Sequence, residues 1–330
     1  MPKKVLLFVI ILSTYLLLWP VPIDPVSWEA PKDQGFVGDF EQNTRLETIE
    51  IINLPDTHGP EGLALKGSEI YAATREGWIV RYNEGTGEQI KWVNTEGSPL
   101  GLVFDKEENL LIADAYKGLL KVTPSGELSV LTRSVNGTDI DYADDLDITA
   151  DGKIYFSDAS TKFGAHMGGT YAASLLDTME HGGHGRLLVY DPIDESTKIL
   201  MDGLNFANGV AADANSEFIL VNETGGYRIH KYWLKGPKTG QSDVLIDNLP
   251  GFPDNIVRGR DGRFWVGLVS PRSKALDNLS SSPILRKVVQ RLPAFMRPQA
   301  VPYSHVFAMN GEGEVLISLQ DPNGGHLSLI

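Results

Sequence analysis

The sequence predicts an all-β chain folded as a six-bladed β-propeller, preceded by a hydrophobic helix at the N-terminus. Two observations predict the propeller. Short strand-like runs, separated by turns built on Gly, Asn and Asp, fill the chain beyond Leu46, and these runs recur in register. A third observation, a continuous apolar stretch near the N-terminus, predicts the helix. A single β-sandwich is the alternative fold, and the in-register recurrence counts against it.

The apolar stretch follows Lys3 and Lys4 and has the sequence VLLFVIILSTYLLLWP, with polar groups only at positions 13 to 15. About 20 apolar residues span a bilayer, and about 15 is the length of a signal-peptide core or a short anchor. A tryptophan and three prolines follow in place of a small-x-small cleavage site. We therefore expect residues 1–20 to be a signal anchor, with a cleaved signal peptide as the alternative.

Such an anchor would place the remaining chain on the exported side of a membrane, in a periplasmic, luminal or extracellular space. A cleaved peptide would make the protein secreted. Residues 21–45 are rich in Pro, Asp and Gly and are predicted to be a linker, and residues 46–330 the propeller. The net charge of −14 argues against a nucleic-acid partner, which needs a basic face. The absence of cysteine excludes disulfides, thiolate zinc sites and cysteine nucleophiles.

Five segments of the chain share one layout, in which an apolar strand start is followed by a turn and a second apolar strand. Most are spaced about 40 to 46 residues apart, which is the period of a four-stranded propeller blade. Each is predicted to be the innermost strand of its blade. The five are PEGLAL from Pro60, PLGLVF from Pro99, ADDLDI from Ala143, ANGVAA from Ala207 and PDNIVR from Pro253.

Two inserts interrupt the repeats. The insert KFGAHMGGTYAASLLDTMEHGGHG in the third repeat is predicted to be a Gly-rich loop, placed to fold over the channel mouth. A second insert, between Ser270 and Tyr303, contains SPILRKVVQRLPAFMR and predicts a short helix capped near Ser282. HVFAMN and GEVLISLQD are then the outer strands of the fifth blade. RLETIEIINL, from Arg45, is predicted to be an outer strand of a sixth blade. The inner strands of that last blade would follow Ile330, so the blade is incomplete in this chain.

The repeats place polar side chains at equivalent positions. Alignment on the apolar third position brings together Glu61, Leu100, Asp144, Asn208 and Asp254, followed by Gly62, Gly101, Asp145, Gly209 and Asn255. The innermost strands of a propeller surround the channel, so their first residues converge at one mouth. Carboxylate and amide oxygens without His or Cys suit a hard cation, Ca²⁺ first and Mg²⁺ second. The alternative is that these side chains cap turns or hydrogen-bond across the channel.

Long motifs of this chain resemble the strictosidine synthase-like family. They include GPEGLAL, LLIADAYKGLLKV, DDLDITADGKIYFSDASTKF, GLNFANGVAAD, YRIHKYWLKGPKTG and LPGFPDNI, and the resemblance covers about Leu46 to Pro322. It implies a six-bladed propeller, in many members with an N-terminal anchor. The architecture is also similar, more distantly, to the regucalcin/gluconolactonase and paraoxonase propellers. That similarity implies a divalent metal at the channel mouth and ester or lactone substrates.

The resemblance assigns ligand roles residue by residue. Glu61 matches the glutamate ligand of the first blade, Asn208 in FANG the asparagine, and Asp254 in PDN the aspartate. Asn255 matches a further ligand of the paraoxonase type, and Asp144 stands where those enzymes usually have asparagine. The predicted metal ligands are therefore Glu61, Asp144, Asn208, Asp254 and Asn255.

Two departures from these relatives limit what the resemblance implies. Leu100 occupies the position of the proposed histidine base of paraoxonase, so that base is absent. The glutamate that strictosidine synthase uses for Pictet–Spengler condensation belongs to the last blade, beyond the point where this chain ends. The condensation reaction therefore lacks support in this chain.

Three functions remain open at this stage. The first is a calcium-dependent hydrolase of small-molecule esters or lactones, an arylesterase or lactonase, with Asp144 or Glu61 as general base. In the third-repeat insert, His181 and His184 are candidate substrate-binding residues, or else incidental histidines of a loop. The second function is a non-enzymatic, calcium-containing propeller that acts as a binding or adhesion module at the membrane. A Pictet–Spengler condensing enzyme is the third.

Overall fold

The computed structural model describes residues 2–54 and 56–324, and its strands form five four-stranded antiparallel sheets. The strands of each sheet pair in chain order, and the first strand of each sheet contacts the first strand of the next. Five sheets arranged in this way around their first strands are the blades of a propeller. The predicted all-β propeller is therefore confirmed, while position 55 and the last six residues of its predicted range lie outside the described residues.

The bounds of the strands follow the repeats of the sequence closely. The first blade consists of β1 (Leu63–Lys66), β2 (Glu69–Ala73), β3 (Trp78–Asn83) and β4 (Gln89–Asn94). The second consists of β5 (Pro99–Phe104), β6 (Leu110–Asp114), β7 (Gly118–Val122) and β8 (Leu128–Thr132). A two-stranded ribbon follows, formed by β9 (Ser134–Val135) and β10 (Thr138–Asp139).

The remaining blades have the same four-stranded order. The third consists of β11 (Ala143–Ile148), β12 (Ile154–Asp158), β13 (Gly185–Asp191) and β14 (Ser196–Leu204). The fourth consists of β15 (Ala207–Ala212), β16 (Phe218–Glu223), β17 (Arg228–Trp233) and β18 (Ser242–Ile246). The fifth consists of β19 (Gly251–Arg258), β20 (Phe264–Pro271), β21 (Ser304–Met309) and β22 (Val315–Asp321), so its two predicted outer strands are confirmed.

The core lies between the faces of adjacent blades. Phe218 of the fourth blade packs with Phe264 and Phe307 of the fifth, and all three are buried. Full burial of a large apolar side chain stabilises the fold by about 1.5 to 3 kcal/mol. Because alternate residues of each strand point into these inter-blade layers, the apolar spacing of the repeats determines which faces meet.

The prediction of six blades is wrong for the described residues, which form five. Residues 45–54 make no strand, although the sequence predicted one there. The segment just before it covers the outer edge of the fifth blade instead. The side chain of Asn43 bonds the backbone of Ser318 and Gln320, and the Leu46 amide donates to the Gln320 carbonyl at 3.0 Å. Covering an unpaired strand edge protects its backbone groups from other chains.

The two blades at the ends of the series expose apolar residues on their outer faces. Ala64 packs towards the second blade, so its strand neighbours Leu63 and Leu65 point away from that blade and are 50% and 60% exposed. In the same way Ile256 packs towards the fourth blade, and its neighbour Val257 is 46% exposed on the opposite face. These faces flank the position where the sequence placed a sixth blade.

Within residues 2–54 and 56–324, four α-helices and two short 3₁₀ helices lie outside the blades. They are α1 (Lys3–Leu18), α2 (Thr170–Glu180), α3 (Lys274–Leu279) and α4 (Pro283–Gln290), with 3₁₀ helices at Gly38–Phe40 and Ala294–Met296. Helix α1 forms where the apolar N-terminal stretch predicted a helix, and none of its residues is buried. No helix in the described part of the chain combines the length and the hydropathy needed to cross a membrane.

The third-repeat insert is partly helical, which corrects the prediction of a loop. Helix α2 occupies its centre, between Gly169 and the left-handed residue His181. The helix buries two acidic side chains, Asp177 and Glu180. Because of these acidic residues, the sequence of the helix shows no clear apolar periodicity. The flanking glycines do indicate where a run without Gly or Pro begins and ends. Helix α4 confirms the helix predicted in the second insert, and Ser282 precedes it without a side-chain cap bond.

The buried carboxyl of Asp177 makes the stability of the α2 region depend on pH. Ser160 Oγ donates a hydrogen bond to Asp177 Oδ2 at 2.6 Å, while Asp177 Oδ1 is buried and has no hydrogen-bond partner in the part of the chain that the structure describes. Burial raises the pKa of Asp177 to about 7. A raised carboxyl pKa gives stability that is complete below about pH 4 and is lost as the pH rises through about 7.

We expect the Asp177→Asn variant to gain stability relative to the parent chain between pH 5 and pH 8, because Asn keeps the acceptor and cannot ionise. The gain should be of the order of 2 to 4 kcal/mol, from about three pKa units at 1.36 kcal/mol each. Urea unfolding at the two pH values measures it. Asp202, an exposed carboxylate on β14, is the control, and Asp202→Asn should leave the pH dependence unchanged. Equal behaviour of the two variants would contradict the prediction.

Candidate functional site

A pocket of about 470 Å³ opens at the mouth of the central channel. Four of the predicted ligand residues, from four different blades, line it together: Glu61, Asp144, Asn208 and Asp254. The first residues of the inner strands therefore do converge, as the alignment of the repeats predicted. Leu100, the second-blade member of the aligned set, lines the same pocket.

Irregular pairing of the innermost strands aims these side chains at the channel. The register between the first and second strands shifts between Ala143 and Leu146 in the third blade, between Ala207 and Val210 in the fourth, and between Pro253 and Ile256 in the fifth. Asp144, Asn208 and Asp254 each lie within one of these shifts. A bulge redirects a side chain that a regular strand would point into the inter-blade core.

Glycines next to the site allow the inner strands to approach closely. A Cβ atom at Gly62 would overlap the backbone carbonyl of Leu100, and one at Gly209 would overlap the backbone amide of Ile256. Each glycine directly follows a pocket residue, Glu61 or Asn208. In PEGLAL and ANGVAA, the residue before the glycine therefore lines the pocket, and the glycine itself allows close contact with the next blade.

The floor of the pocket concentrates negative charge with little compensation. Burial, followed by the neighbouring Asp254 and Glu61 carboxyls, raises the pKa of Asp144 well above its usual value. Burial and Glu61 raise the pKa of Asp254 to about 7. Burial also raises the pKa of Glu61, against the opposing charge of Arg75. Removal from water and mutual repulsion both disfavour ionised carboxyls here.

One direct bond joins two of these side chains. Asn208 Nδ2 donates to Asp254 Oδ1 at 2.7 Å, and Asn208 Oδ1 is buried without a hydrogen-bond partner among the described residues. A buried amide oxygen without a partner costs about 1 to 3 kcal/mol. An electron-poor group such as a cation or a ligand N–H would satisfy it.

The donor set fits a hard divalent cation by its chemistry and charge. Carboxylate and amide oxygens are the ligands that Ca²⁺ prefers, and a cation would relieve both the repulsion and the unpartnered Asn208 oxygen. No group of three or more His, Asp or Glu side chains is close enough to hold a metal within residues 2–54 and 56–324. The match to a cation is therefore inferred from the charge and oxygen chemistry of the four pocket residues, and not from a preformed cluster of metal ligands.

The walls of the pocket are mainly apolar and come partly from the inner strands and partly from the inserts. Phe206 and Phe252 extend from the starts of inner strands, and helix α2 contributes residues from Thr170 to Thr178. The other side is formed by Leu276 of α3 and by Pro298–Pro302. A carboxylate floor beneath apolar walls suits a ligand with one polar reacting group and an apolar body.

Tyr142 lies beside the carboxylates and is held by a buried ion pair. Burial raises the pKa of Tyr142 well above its usual value, with Asp144 the next cause. Its backbone amide donates to Asp158 Oδ1 at 3.2 Å, and Arg186 Nε donates to Asp158 Oδ2 at 3.0 Å. Asp158 and Arg186 are both buried, so this pair positions the start of β11 next to the pocket.

Some predicted site residues lie elsewhere. Asn255 does not line the pocket, and its Nδ2 donates to the Glu61 carbonyl at 3.3 Å. The Asp145 carboxylate accepts bonds from the Val210 and Leu146 amides and joins two blades. These two residues therefore act in the structure as inter-blade contacts. Their positions directly follow the aligned ligands, and a bulge sends successive side chains to different sides.

The two histidines predicted to bind substrate are also outside the pocket lining. His181 ends helix α2 and stacks on Trp28, with ring centroids 3.8 Å apart. His184 Nε2 lies 2.7 Å from Glu180 Oε1, and Lys162 Nζ bonds the same carboxylate. Both histidines therefore fix the end of α2. Arg75, Tyr142 and Ser174 line the pocket but were missed, because no repeat position or motif marks them.

The fold and the site define a class of protein: a β-propeller whose central pocket has a carboxylate floor. Family models describe the same chain, one for strictosidine synthase matching residues 144–237 and one for the strictosidine synthase-like N-terminal region matching residues 38–82. The adipocyte plasma membrane-associated protein of Bos taurus is 35% identical over 94% of this chain and 79% of its own length. The chain belongs to the strictosidine synthase-like family.

Solved structures of two more distant proteins share the fold. A gluconolactonase from Xanthomonas campestris superposes with a TM-score of 0.57 at 16% identity, covering 78% of this chain and 74% of that one. Regucalcin from Agrobacterium tumefaciens, a calcium-binding protein, superposes with a TM-score of 0.54 at 12% identity, covering 79% and 73%. At such identities the likeness extends to the fold alone.

Proposed function

We propose that this protein is a metal-dependent hydrolase of esters or lactones. The observation that carries the proposal is the convergence of Glu61, Asp144, Asn208 and Asp254 on the floor of an otherwise apolar pocket. The gluconolactonase and regucalcin neighbours support it, since one is a lactonase and the other binds calcium. Membership of the strictosidine synthase-like family is compatible with it.

The chain's own residues have distinct roles in this proposal. Phe206 and Phe252 hold the apolar part of the substrate and exclude water from the channel mouth. Asn208 orients the Asp254 carboxylate through their 2.7 Å bond. Glu61 or Asp144 takes the proton of the attacking water. Burial raises the pKa of both carboxyls, which makes each a stronger base once it is ionised.

The residues that would hold a cation are Glu61, Asp144, Asn208 and Asp254. When bound, a divalent cation supplies Lewis-acid polarisation of the substrate carbonyl and neutralises the negative charge that develops on its oxygen. We favour Ca²⁺ over Mg²⁺ because the donors come from four blades, and Ca²⁺ accepts irregular oxygen sets more readily.

The test is hydrolysis of a panel of aryl esters and lactones by the purified full chain, with Ca²⁺ and with chelator. We expect turnover with Ca²⁺, at least 100-fold less with chelator, and a loss of similar size in Glu61→Gln and Asn208→Ala. Thermal unfolding with and without Ca²⁺ provides a separate measure of cation binding. No turnover by a folded chain that Ca²⁺ stabilises would refute the hydrolase, and no stabilisation would refute the cation site.

A non-enzymatic, calcium-containing binding or adhesion module is the second candidate. Leu100 favours it, because this pocket-lining position carries no acid–base group. The panel above distinguishes the two, since a binding module would show stabilisation by Ca²⁺ without turnover. A Pictet–Spengler condensation is the third candidate, and formation of a condensation product from an amine and an aldehyde would establish it.

We also infer that the N-terminal segment anchors the propeller to a membrane on the exported side, rather than being cleaved to release a secreted protein. Helix α1 has no buried residue, and its apolar side chains are exposed on all sides. A helix that is apolar all round belongs in a protein core or in lipid. The relatives named adipocyte plasma membrane-associated proteins support this inference. Carbonate extraction of membranes from expressing cells tests it, and release of the intact chain would contradict it.

A further inference from the structure

The segment Pro283–Tyr303, between β20 and β21, differs in composition from the rest of this acidic chain. It contains four cations, Arg286, Lys287, Arg291 and Arg297, and no Asp or Glu, in a chain of net charge −14. The only acidic side chain that pairs with it among the described residues is that of Asp24, 2.7 Å from Lys287 Nζ. A negatively charged surface would therefore meet less repulsion here than over most of the molecule.

The same segment exposes five large apolar side chains, which we call the rim surface. They are Ile284 (73% exposed), Leu285 (50%), Phe295 (81%), Met296 (56%) and Val301 (58%). Helix α4 is thus inverted relative to an ordinary surface helix, since it buries Arg286 and exposes Ile284 and Leu285. Single exposed apolar residues are common, but a cluster marks a surface that contacts something.

The rim surface is continuous with helix α1. Arg291, at the end of α4, donates to the carbonyls of Leu16 (3.0 Å) and Trp19. The Tyr15 hydroxyl donates in turn to the Arg291 carbonyl at 3.0 Å. The exposed apolar helix and the exposed apolar face of α4 therefore meet at Arg291.

The rim surface is also continuous with the pocket. Val301 belongs to it and lines the pocket together with Pro298 and Pro302. On the opposite side of the opening, Tyr171 of α2 is half-exposed, and its hydroxyl accepts a 3.4 Å bond from the Ala300 amide. The entrance is therefore bordered by apolar residues from two inserts.

We propose that the rim surface rests on an anionic lipid bilayer and that the pocket takes its substrate from the lipid phase. Apolar side chains enter the headgroup boundary. Lys287 and Arg297, the two cations of the segment that are not buried, each add about 1 kcal/mol of attraction to anionic lipid. The substrate is then an ester or lactone with a long apolar chain, which the walls between Phe206, Phe252 and Leu276 accept. This substrate class rests on the hydrolase function proposed above, whereas the lipid contact does not.

The chain has no cysteine, so single labels can test the lipid contact directly. The full chain is reconstituted in vesicles of phosphatidylcholine and phosphatidylserine that carry a lipid-borne quencher, with a fluorophore on Phe295→Cys. The control is Ile193→Cys, because Ile193 is 86% exposed in the β13–β14 turn, at the opposite end of the blades from α2. Leu12→Cys reports insertion of α1.

We expect quenching at positions 12 and 295 and none at position 193. Quenching at position 12 without quenching at 295 would overturn the lipid contact. Protection of the 295 label from aqueous iodide that rises with protein concentration in detergent, together with dimers in analytical ultracentrifugation, would instead identify a second copy and would also overturn it.

The substrate class has its own test, in which Ile284 and Phe295 are both replaced by Glu. Neither residue lines the pocket. We expect at least 10-fold slower hydrolysis of a long-chain ester presented in vesicles, with unchanged kcat/KM for a short water-soluble aryl ester, and no effect of Ile193→Glu on either. Equal effects on both substrates would overturn the proposal. If the parent chain hydrolyses neither ester while the 295 label is quenched, the hydrolase fails and the lipid contact stands.

Discussion

The Arg286→Met variant is expected to lose at least about 3 kcal/mol of unfolding free energy, because four hydrogen bonds from one charged group to backbone carbonyls would be lost together. The guanidinium is 1% exposed and donates to the carbonyls of Met179 (3.1 Å), Glu180 (3.2 Å), Ser280 (3.0 Å) and Val26. Two of these carbonyls end helix α2, where the helix dipole favours a cation. Arg286 thus joins the end of α2 to the chain at Ser280 and at Val26.

Urea unfolding of the full chain measures this loss. Arg286→Lys should be intermediate, because an ammonium keeps the charge but cannot reach all four carbonyls. Arg260→Met is the control, since Arg260 is exposed in the turn after β19 and should change stability by less than about 0.5 kcal/mol. Faster hydrogen exchange in α2 is expected in Arg286→Met alone. A loss below about 1 kcal/mol would show that the carbonyls find other partners.

The second large effect is expected for Asp254→Asn. The change in stability that this variant causes should have opposite signs with and without calcium. At pH 8, without a cation, the variant should be more stable than the parent chain. The pKa of about 7 leaves Asp254 ionised at that pH, shielded from water and near the like charge of Glu61. With saturating Ca²⁺ the order should reverse, because the variant lacks one charged ligand. Hydrolysis should fall at least 100-fold, which corresponds to about 3 kcal/mol of lost transition-state stabilisation.

Thermal unfolding with chelator and with Ca²⁺ measures the difference in stability between the variant and the parent chain under each condition. Asp147→Asn is the matched control, because Asp147 is also an aspartate of low exposure on an inner strand. Its carboxylate accepts bonds from the Ala212 and Ile148 amides and does not line the pocket. We expect this variant to lose stability equally under both conditions. The same response from Asp254→Asn would contradict a cation at the pocket floor.

The repeats allowed much of the fold and part of the site to be predicted from local pattern. A strand that must bury one face keeps an alternating apolar spacing, so PEGLAL, ADDLDI, ANGVAA and PDNIVR identified four inner strands directly. Equivalent positions of a repeat are equivalent in space. For this reason the sequence alone groups Glu61, Asp144, Asn208 and Asp254, and these residues line one pocket.

Features that break the repeat were harder to predict. Asn255 and Asp145 were grouped with the ligands by position, but the bulges turn them towards neighbouring blades. Helix α2 lacks an apolar stripe because it buries Asp177 and Glu180, whose partners Ser160 and Lys162 lie 17 and 18 residues earlier in the chain. Residues 45–54 have strand-like composition and form no strand, since a strand also needs a partner edge.

The sequence by itself determined the blades, the channel and the oxygen-rich floor of the pocket, because each depends on a short pattern that recurs along the chain. Only the tertiary structure decided the walls and rim of the pocket. Tyr171 and Ala300 are 129 residues apart and meet across the opening, and Arg286 binds carbonyls more than 100 residues away. Such contacts form where the inserts pack against the propeller, and no local spacing of residues predicts them.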